Sequence, residues 1–74
     1  MQVTVKLFAS FREGRVPIQS CQYPPGSTVR DVVLQKGIPV SEIGIMLVNC
    51  RHVDLDRELV EGDLLAIFPL LGGG

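Results

Sequence analysis

The residues with the plainest chemical capacity in this chain are Gly72, Gly73 and Gly74, set directly behind the apolar run Leu64 to Leu71. Glycine has no Cβ, so a glycine tail takes up almost any backbone conformation and passes through a slot too narrow for side chains. Counted from Leu70, five extended residues reach roughly 17 Å at about 3.4 Å each, enough to cross the rim of another protein's active site. The Gly74 carboxylate then becomes a reagent, with Gly73 and Gly72 as the segment that threads. Terminal glycines are also the composition of a frayed end. The tail alone does not choose between the two, and the body of the chain has to.

Few other residues invite chemistry. His52 is the only histidine, and Cys21 and Cys50 share neither a CxxC pair nor a Cys/His spacing. No redox motif or metal site is signalled, and both thiols are expected as small buried hydrophobes. No combination of nucleophile, base and orienting group stands out as a triad. The seven basic residues, Lys6, Arg12, Arg15, Arg30, Lys36, Arg51 and Arg57, are scattered in a chain of net charge −1. That leaves no basic stripe for nucleic acid. Arg12 and Arg15 flank a turn and read as a solvated loop.

The elements that must position the tail belong to one small domain. A chain of 74 residues buries about 60 to 65 per cent of its unfolded surface, which leaves no room for a deep substrate cavity. With 46 per cent hydrophobic and 20 per cent charged residues, it still has material for a genuine core. Met1-Gln2-Val3-Thr4 leads straight into a strand pattern, without the charged and apolar regions of a leader. Leu64 to Leu71 is too short for a membrane span and contains Pro69. A soluble cytoplasmic protein is expected, with a folded domain over residues 1–71 and a flexible glycine tail over 72–74.

Gln2 to Phe8 alternates, with Val3, Val5 and Leu7 on one face and Thr4, Lys6 and Phe8 on the other, the pattern of a half-buried strand. Ala9 to Arg15 reads as a turn, and Val16 to Tyr23 as a second strand in an antiparallel hairpin, with Pro17 placing it at a sheet edge. After Pro24-Pro25-Gly26, Thr28 and Asp31 have the spacing of a capping box. The helix they open buries Val29, Val32 and Val33, with Leu34 beside them, and ends near Lys36 because Gly37 suits the position after the cap and Pro39 cannot continue it. Ile45 to Asn49 predicts a third strand, Asn49-Cys50 a tight turn and His52-Val53 a brief return strand. Glycine is the favoured second residue of such a turn, and Cys50 in a left-handed conformation would be mildly strained. Asp54 to Leu59 reads as irregular or short helical structure. Glu61-Gly62-Asp63 turns the chain into a last strand, Leu64 to Phe68, which is apolar on both faces and so expected at the centre of the sheet. Pro69 should end its ladder.

The order is ββαβ(β)β, an α+β chain with one main helix across a mixed sheet of four to five strands, the ubiquitin-like β-grasp arrangement. Lys6-Leu7-Phe8-Ala9 with Arg12-Glu13, Pro25-Gly26-Ser27-Thr28-Val29, Leu47-Val48-Asn49, Leu59 with Glu61-Gly62-Asp63, and Ile67-Phe68-Pro69 ahead of Gly73-Gly74 follow one another along the whole chain. In that order they resemble the MoaD/ThiS family of sulfur carriers. Cys50 departs from the pattern, standing where relatives commonly have glycine, and Leu70-Leu71-Gly72 replaces the spacer of other members. The fold implied by the resemblance sets the first and last strands side by side and parallel.

The resemblance further implies that an adenylating enzyme of the MoeB/ThiF type joins the Gly74 carboxylate to AMP at the expense of ATP, and that a sulfur donor converts the adenylate to a thiocarboxylate. The chain itself would bind no cofactor and be no enzyme, only a carrier or non-catalytic subunit. The expected recipient is the molybdopterin synthase large subunit, with Leu7-Phe8-Ala9, Arg12-Glu13 and Phe68-Pro69 favouring the pterin side, or else thiazole synthase in thiamin synthesis. A protein modifier conjugated through Gly74 uses the same tail, and an inert binding module is the remaining alternative. Phe8 and Phe68, with Leu70 and Leu71, are the candidate partner contacts. Leu70 and Leu71 would equally suit completing the core at the strand end.

Overall fold

The computed structural model describes residues 1–70; Leu71, Gly72, Gly73 and Gly74, with the roles expected of them, lie outside the described residues. Strand β1 spans Gln2–Leu7 and buries Val3, Val5 and Leu7, as its alternation requires. Strand β2, Ile18–Gln22, runs antiparallel to it at one edge of the sheet. It starts later than the expected Val16, because Pro17 precedes it and cannot donate to the ladder, although the Pro17 carbonyl still accepts from the Leu7 N–H at 2.8 Å.

Helix α1, Val29–Gln35, is set by its termini. The Thr28 side chain accepts from the Asp31 N–H while the Asp31 carboxylate accepts from the Thr28 N–H at 2.9 Å, so two otherwise orphaned donors satisfy each other. At the other end Gly37 has φ +72°. The Gly37 N–H donates to the Leu34 carbonyl and the Ile38 N–H to that of Val33, both at 3.1 Å. That pair of bonds is a Schellman motif, and Ile38 completes it by entering the core. Val29, Val32 and Val33 are fully buried, whereas Leu34 is exposed.

Strands β3, Ile43–Val48, and β4, Arg51–His52, form a short hairpin, and β5, Leu64–Pro69, lies between β3 and β1. The sheet order is β2-β1-β5-β3-β4, with β5 parallel to β1 and antiparallel to β3. This is the expected β-grasp, with the doubly apolar strand at its centre. Leu65 and Ile67 face the helix and are completely buried; Leu64, Ala66 and Phe68 are half-buried on the opposite, open face.

Several local expectations need correction. Ala9–Arg12 is a 3-10 helix within the predicted turn, and it drives Phe11 into the core. The Cys50 thiol is exposed, while Cys21 is half-buried. At the tip of a two-residue turn, the Cys50 side chain is out of reach of the core. Asn49 and Cys50 have φ of +51° and +69°, the left-handed pair that closes a twisted two-residue hairpin. Pro69 does not end the pairing either. It still faces Ile43, and the Leu70 N–H donates to the Glu42 carbonyl at 2.8 Å.

A buried carboxylate fixes where β5 begins. Asp63 is 3% exposed and accepts from the Asn49 side-chain amide and from the Val60 N–H, each at 2.9 Å. The Asn49 amide oxygen in turn accepts from the Leu64 N–H at 3.0 Å, so the hairpin turn and the turn before β5 are one hydrogen-bonded unit. The Asp63 carbonyl accepts from Thr4, tying the same point to β1. Burial pushes the Tyr23 phenol up to about 12, helped by the nearby Cys21. The phenol is held neutral while it donates to the Gln35 side-chain oxygen at 3.0 Å.

Candidate functional site at the end of β5

The candidate site is the surface from which the chain continues past Leu70. Phe68 and Phe8 leave the open face of the sheet side by side, their rings stacked with centroids 4.1 Å apart and planes within 10°. They meet because β1 and β5 are parallel neighbours in a register that pairs Leu7 with Ile67, so the next residue of each strand points to the same open face. The Lys6 ammonium lies 5.8 Å from the Phe8 centroid and adds a cation–π contact at the rim.

Beyond the aromatic pair, β3 comes unusually close. The register shifts between Ile43 and Ile45, a bulge that leaves Gly44 against the end of β5. A Cβ on Gly44 would sit 2.7 Å from the Pro69 carbonyl oxygen and 3.1 Å from the Leu70 Cα. Only glycine permits that approach. The bulge re-aims Ile45 toward Phe68, its partner in the register, and the result is an open apolar hollow of about 310 Å³ lined by Ala9, Gly44, Ile45, Phe68, Pro69 and Leu70. Ala9, at φ +53°, forms part of its wall where the chain leaves β1.

The structure therefore brings Phe8, Phe68 and Leu70 together. Leu70 is 64% exposed while its backbone is held by Glu42, so it does not complete the core. Leu71, Gly72, Gly73 and Gly74 belong to the undescribed residues, and the fate of their side chains and carboxylate stays an expectation. Ile45, Ala9 and Gly44 were not anticipated as part of this surface. Gly44 carried a signal, since an isolated glycine in an apolar strand pattern marks a bulge or a close backbone approach. Ala9 carried none.

Chemically the surface is a place to bind. It is almost wholly apolar, and no nucleophile, base or metal-ligand group lines the hollow. Among the described residues no three His, Cys, Asp or Glu side chains converge as a metal site, and no helix is long and apolar enough to cross a membrane.

Comparison with known proteins gives this geometry a lineage. The family model described as Mut7-C ubiquitin matches residues 3–72. No curated protein sequence matches. Among solved structures, the putative molybdopterin converting factor subunit 1 from Pyrococcus furiosus is 30% identical, over 93% of this chain and 97% of its own, with a TM-score of 0.75. Small archaeal modifier protein 1 from Haloferax volcanii is 24% identical over 92% of this chain and 95% of its own, also at 0.75, a likeness of fold. Subunit 1 or 2 in the complex of the molybdopterin-converting factor from Helicobacter pylori 26695 gives a further likeness of fold, at 17% identity, full coverage of both chains and a TM-score of 0.67. A family model spanning nearly the whole sequence, over a one-helix, five-stranded β-grasp, settles the membership: the chain belongs to the Mut7-C ubiquitin family and has the ubiquitin-like fold that its resemblance to MoaD/ThiS carriers implies.

Proposed function

We propose that this protein is a sulfur carrier whose Gly74 carboxylate is activated by a partner enzyme and returned as a thiocarboxylate, serving as the small subunit of a molybdopterin synthase. The observation that carries the reading is the 30% identity, over nearly the full length of both chains, to a molybdopterin converting factor subunit 1. The apolar surface of Phe8, Phe68, Ile45 and Leu70 supports it by offering a docking patch at the root of the tail.

The chemistry divides cleanly between carrier and partner. A carboxylate is a poor electrophile because its charge is delocalised over both oxygens. Attack of the Gly74 carboxylate on the α-phosphate of ATP expels pyrophosphate and leaves an acyl-adenylate, whose AMP is a good leaving group. Hydrosulfide from the sulfur donor then attacks the carbonyl carbon, forming the C–S bond as the C–O bond to AMP breaks, and leaves a thioacid. The carrier's contribution is positional: a folded body that docks by its apolar patch and a chain end narrow enough to enter the partner's site. ATP belongs to the activating enzyme, and no cofactor resides on this chain.

Incubation with an adenylating partner, ATP and a sulfur donor should raise the intact mass by about 16 Da, sulfur for oxygen. The gain should be lost when Gly73 and Gly74 are deleted. No adenylate and no gain with MoeB- and ThiF-type partners would end the carrier reading. Supplying the thiocarboxylated protein to a pterin synthase large subunit or to a thiazole synthase then separates the two acceptors.

The likeness to small archaeal modifier protein 1 favours a second reading, attachment of Gly74 to lysines of other proteins. Conjugates of higher mass that vanish with the two terminal glycines would identify it.

A further inference from the structure

The outer edge of β2 is unlike any other part of the sheet. The Tyr23 N–H donates to the Met1 carbonyl and the Met1 amino group to the Tyr23 carbonyl; at the other end of the ladder the Leu7 N–H donates to Pro17. Bonds in an antiparallel pair alternate, so these two ends fix the phase between them. In the register of β1 with β2, Cys21 and Gln19 turn their backbone groups toward Val3 and Val5. Ile18, Ser20 and Gln22 turn theirs outward, three N–H and three C=O groups in a row with no strand beyond them among the described residues.

Edges of this kind are normally blunted by charge, shortness or bulges. The opposite edge follows that rule: β4 has two residues, Arg51 and His52. β2 has five, Ile-Gln-Ser-Cys-Gln, none of them charged and none a proline. All but the half-buried Cys21 are exposed, so none of the described residues covers the strand.

The charge around the edge names its occupant. Residues 1–41 hold five of the seven basic side chains and only two of the eight acidic ones, Glu13 and Asp31. Asp31 is occupied in the helix cap, and the single ion pair among the described residues joins Arg30 to Asp56. Lys36 reaches from the helix end to the inner side of β2, where its ammonium donates to the Gln19 side-chain oxygen at 2.8 Å and lies 3.4 Å from the Cys21 sulfur. Arg15 donates to the Lys36 and Gly37 carbonyls at 3.2 and 3.0 Å. Both cations are thus fixed at the strand's helix side on neutral acceptors.

We propose that the β2 edge is a recognition site for an extended acidic segment of a partner protein, which joins the sheet as a further strand. Its backbone pairs with Ile18, Ser20 and Gln22. Because side chains alternate between the two faces, its acidic residues fall beside Lys36 and Arg15, and its intervening apolar residues fall beside the exposed Ile18 on the open face. The site lies apart from the tail and is independent of the sulfur-carrier reading.

The test is a titration of the isotopically labelled protein with a short peptide alternating valine and glutamate, followed by amide shifts and hydrogen exchange. The expected result is protection of the Ile18, Ser20 and Gln22 amides, lost when alternate peptide amides are N-methylated. Lys36→Glu should weaken binding about tenfold. Ser20→Pro, which removes one outward donor at an edge position that tolerates proline, should abolish the protection of its neighbours while the remaining spectrum keeps its dispersion. Equal binding of a valine–lysine peptide would overturn the proposal, and so would shifts confined to Phe8, Phe68 and Leu70. Protection that grows with protein concentration alone, accompanied by dimers in sedimentation, would overturn it by assigning the edge to a second copy of this chain.

Discussion

Where β5 begins, a buried carboxylate, an amide side chain and two backbone N–H groups satisfy one another around Asp63. At the other end of this six-residue strand, the neighbours are two stacked rings, a bulge with no side chain and an exposed leucine. One strand thus has a polar end that is chemically closed and an apolar end that is chemically open. Closed hydrogen bonds stabilise the fold and offer nothing further to a partner. Exposed apolar area does the reverse, since its burial free energy is released only on contact. The difference teaches which end of the strand is structural and which is held in reserve.

The comparison is broken most directly at the closed end. Asp63→Ala would leave the Asn49 amide and the Val60 N–H without their acceptor, at a cost of about 2–4 kcal/mol in denaturant unfolding. A loss under about 0.5 kcal/mol would mean that water replaces the carboxylate and that this end is not closed. Gly44→Ala forces the bulge away from Pro69 and should cost about 1–3 kcal/mol, with amide shifts concentrated at Phe68 and Leu70. Shifts spread evenly over the sheet would contradict a local contact.

Phe8→Ala should cost about 1 kcal/mol of stability through the lost stacking and, on the sulfur-carrier reading, should weaken affinity for an activating enzyme about tenfold or more, read by calorimetry. Unfolding without an affinity defect would move Phe8 from the open end to the core. The smallest effect has the opposite sign. Cys50→Gly should stabilise by about 0.5–1 kcal/mol, because φ +69° penalises a side chain. No gain would show that the cost is already absorbed by the Asn49 network.

The closed core was largely legible in the sequence, and the open site only in part. Thr28 with Asp31, Gly37 before Pro39, and the alternation of Val3, Val5 and Leu7 are local patterns whose physics is complete within a few residues. Phe8 could be placed on the outer face for the same reason. Its stacking on Phe68 could not, because the contact depends on a parallel register between strands at opposite ends of the chain. The hydrogen bonds of Asp63 were equally hidden, since an acidic residue beside a glycine reads as an exposed turn. Phe11 escaped notice because a single apolar residue within a polar turn has no period to betray it.

The parallel pairing of β1 with β5 also sets a timetable. Among the strands of this sheet the central one comes last in chain order and its neighbour β1 comes first, so the sheet cannot close until both have been made. Contacts of such long sequence separation are slow to form. During translation the hairpin and helix precede the strand that unites them, leaving Leu65 and Ile67 to be supplied at the end. A chain arrested before Leu64 has no centre to its sheet, and so no folded body. On the sulfur-carrier reading, the body is thus offered to an activating enzyme only once its sheet has closed.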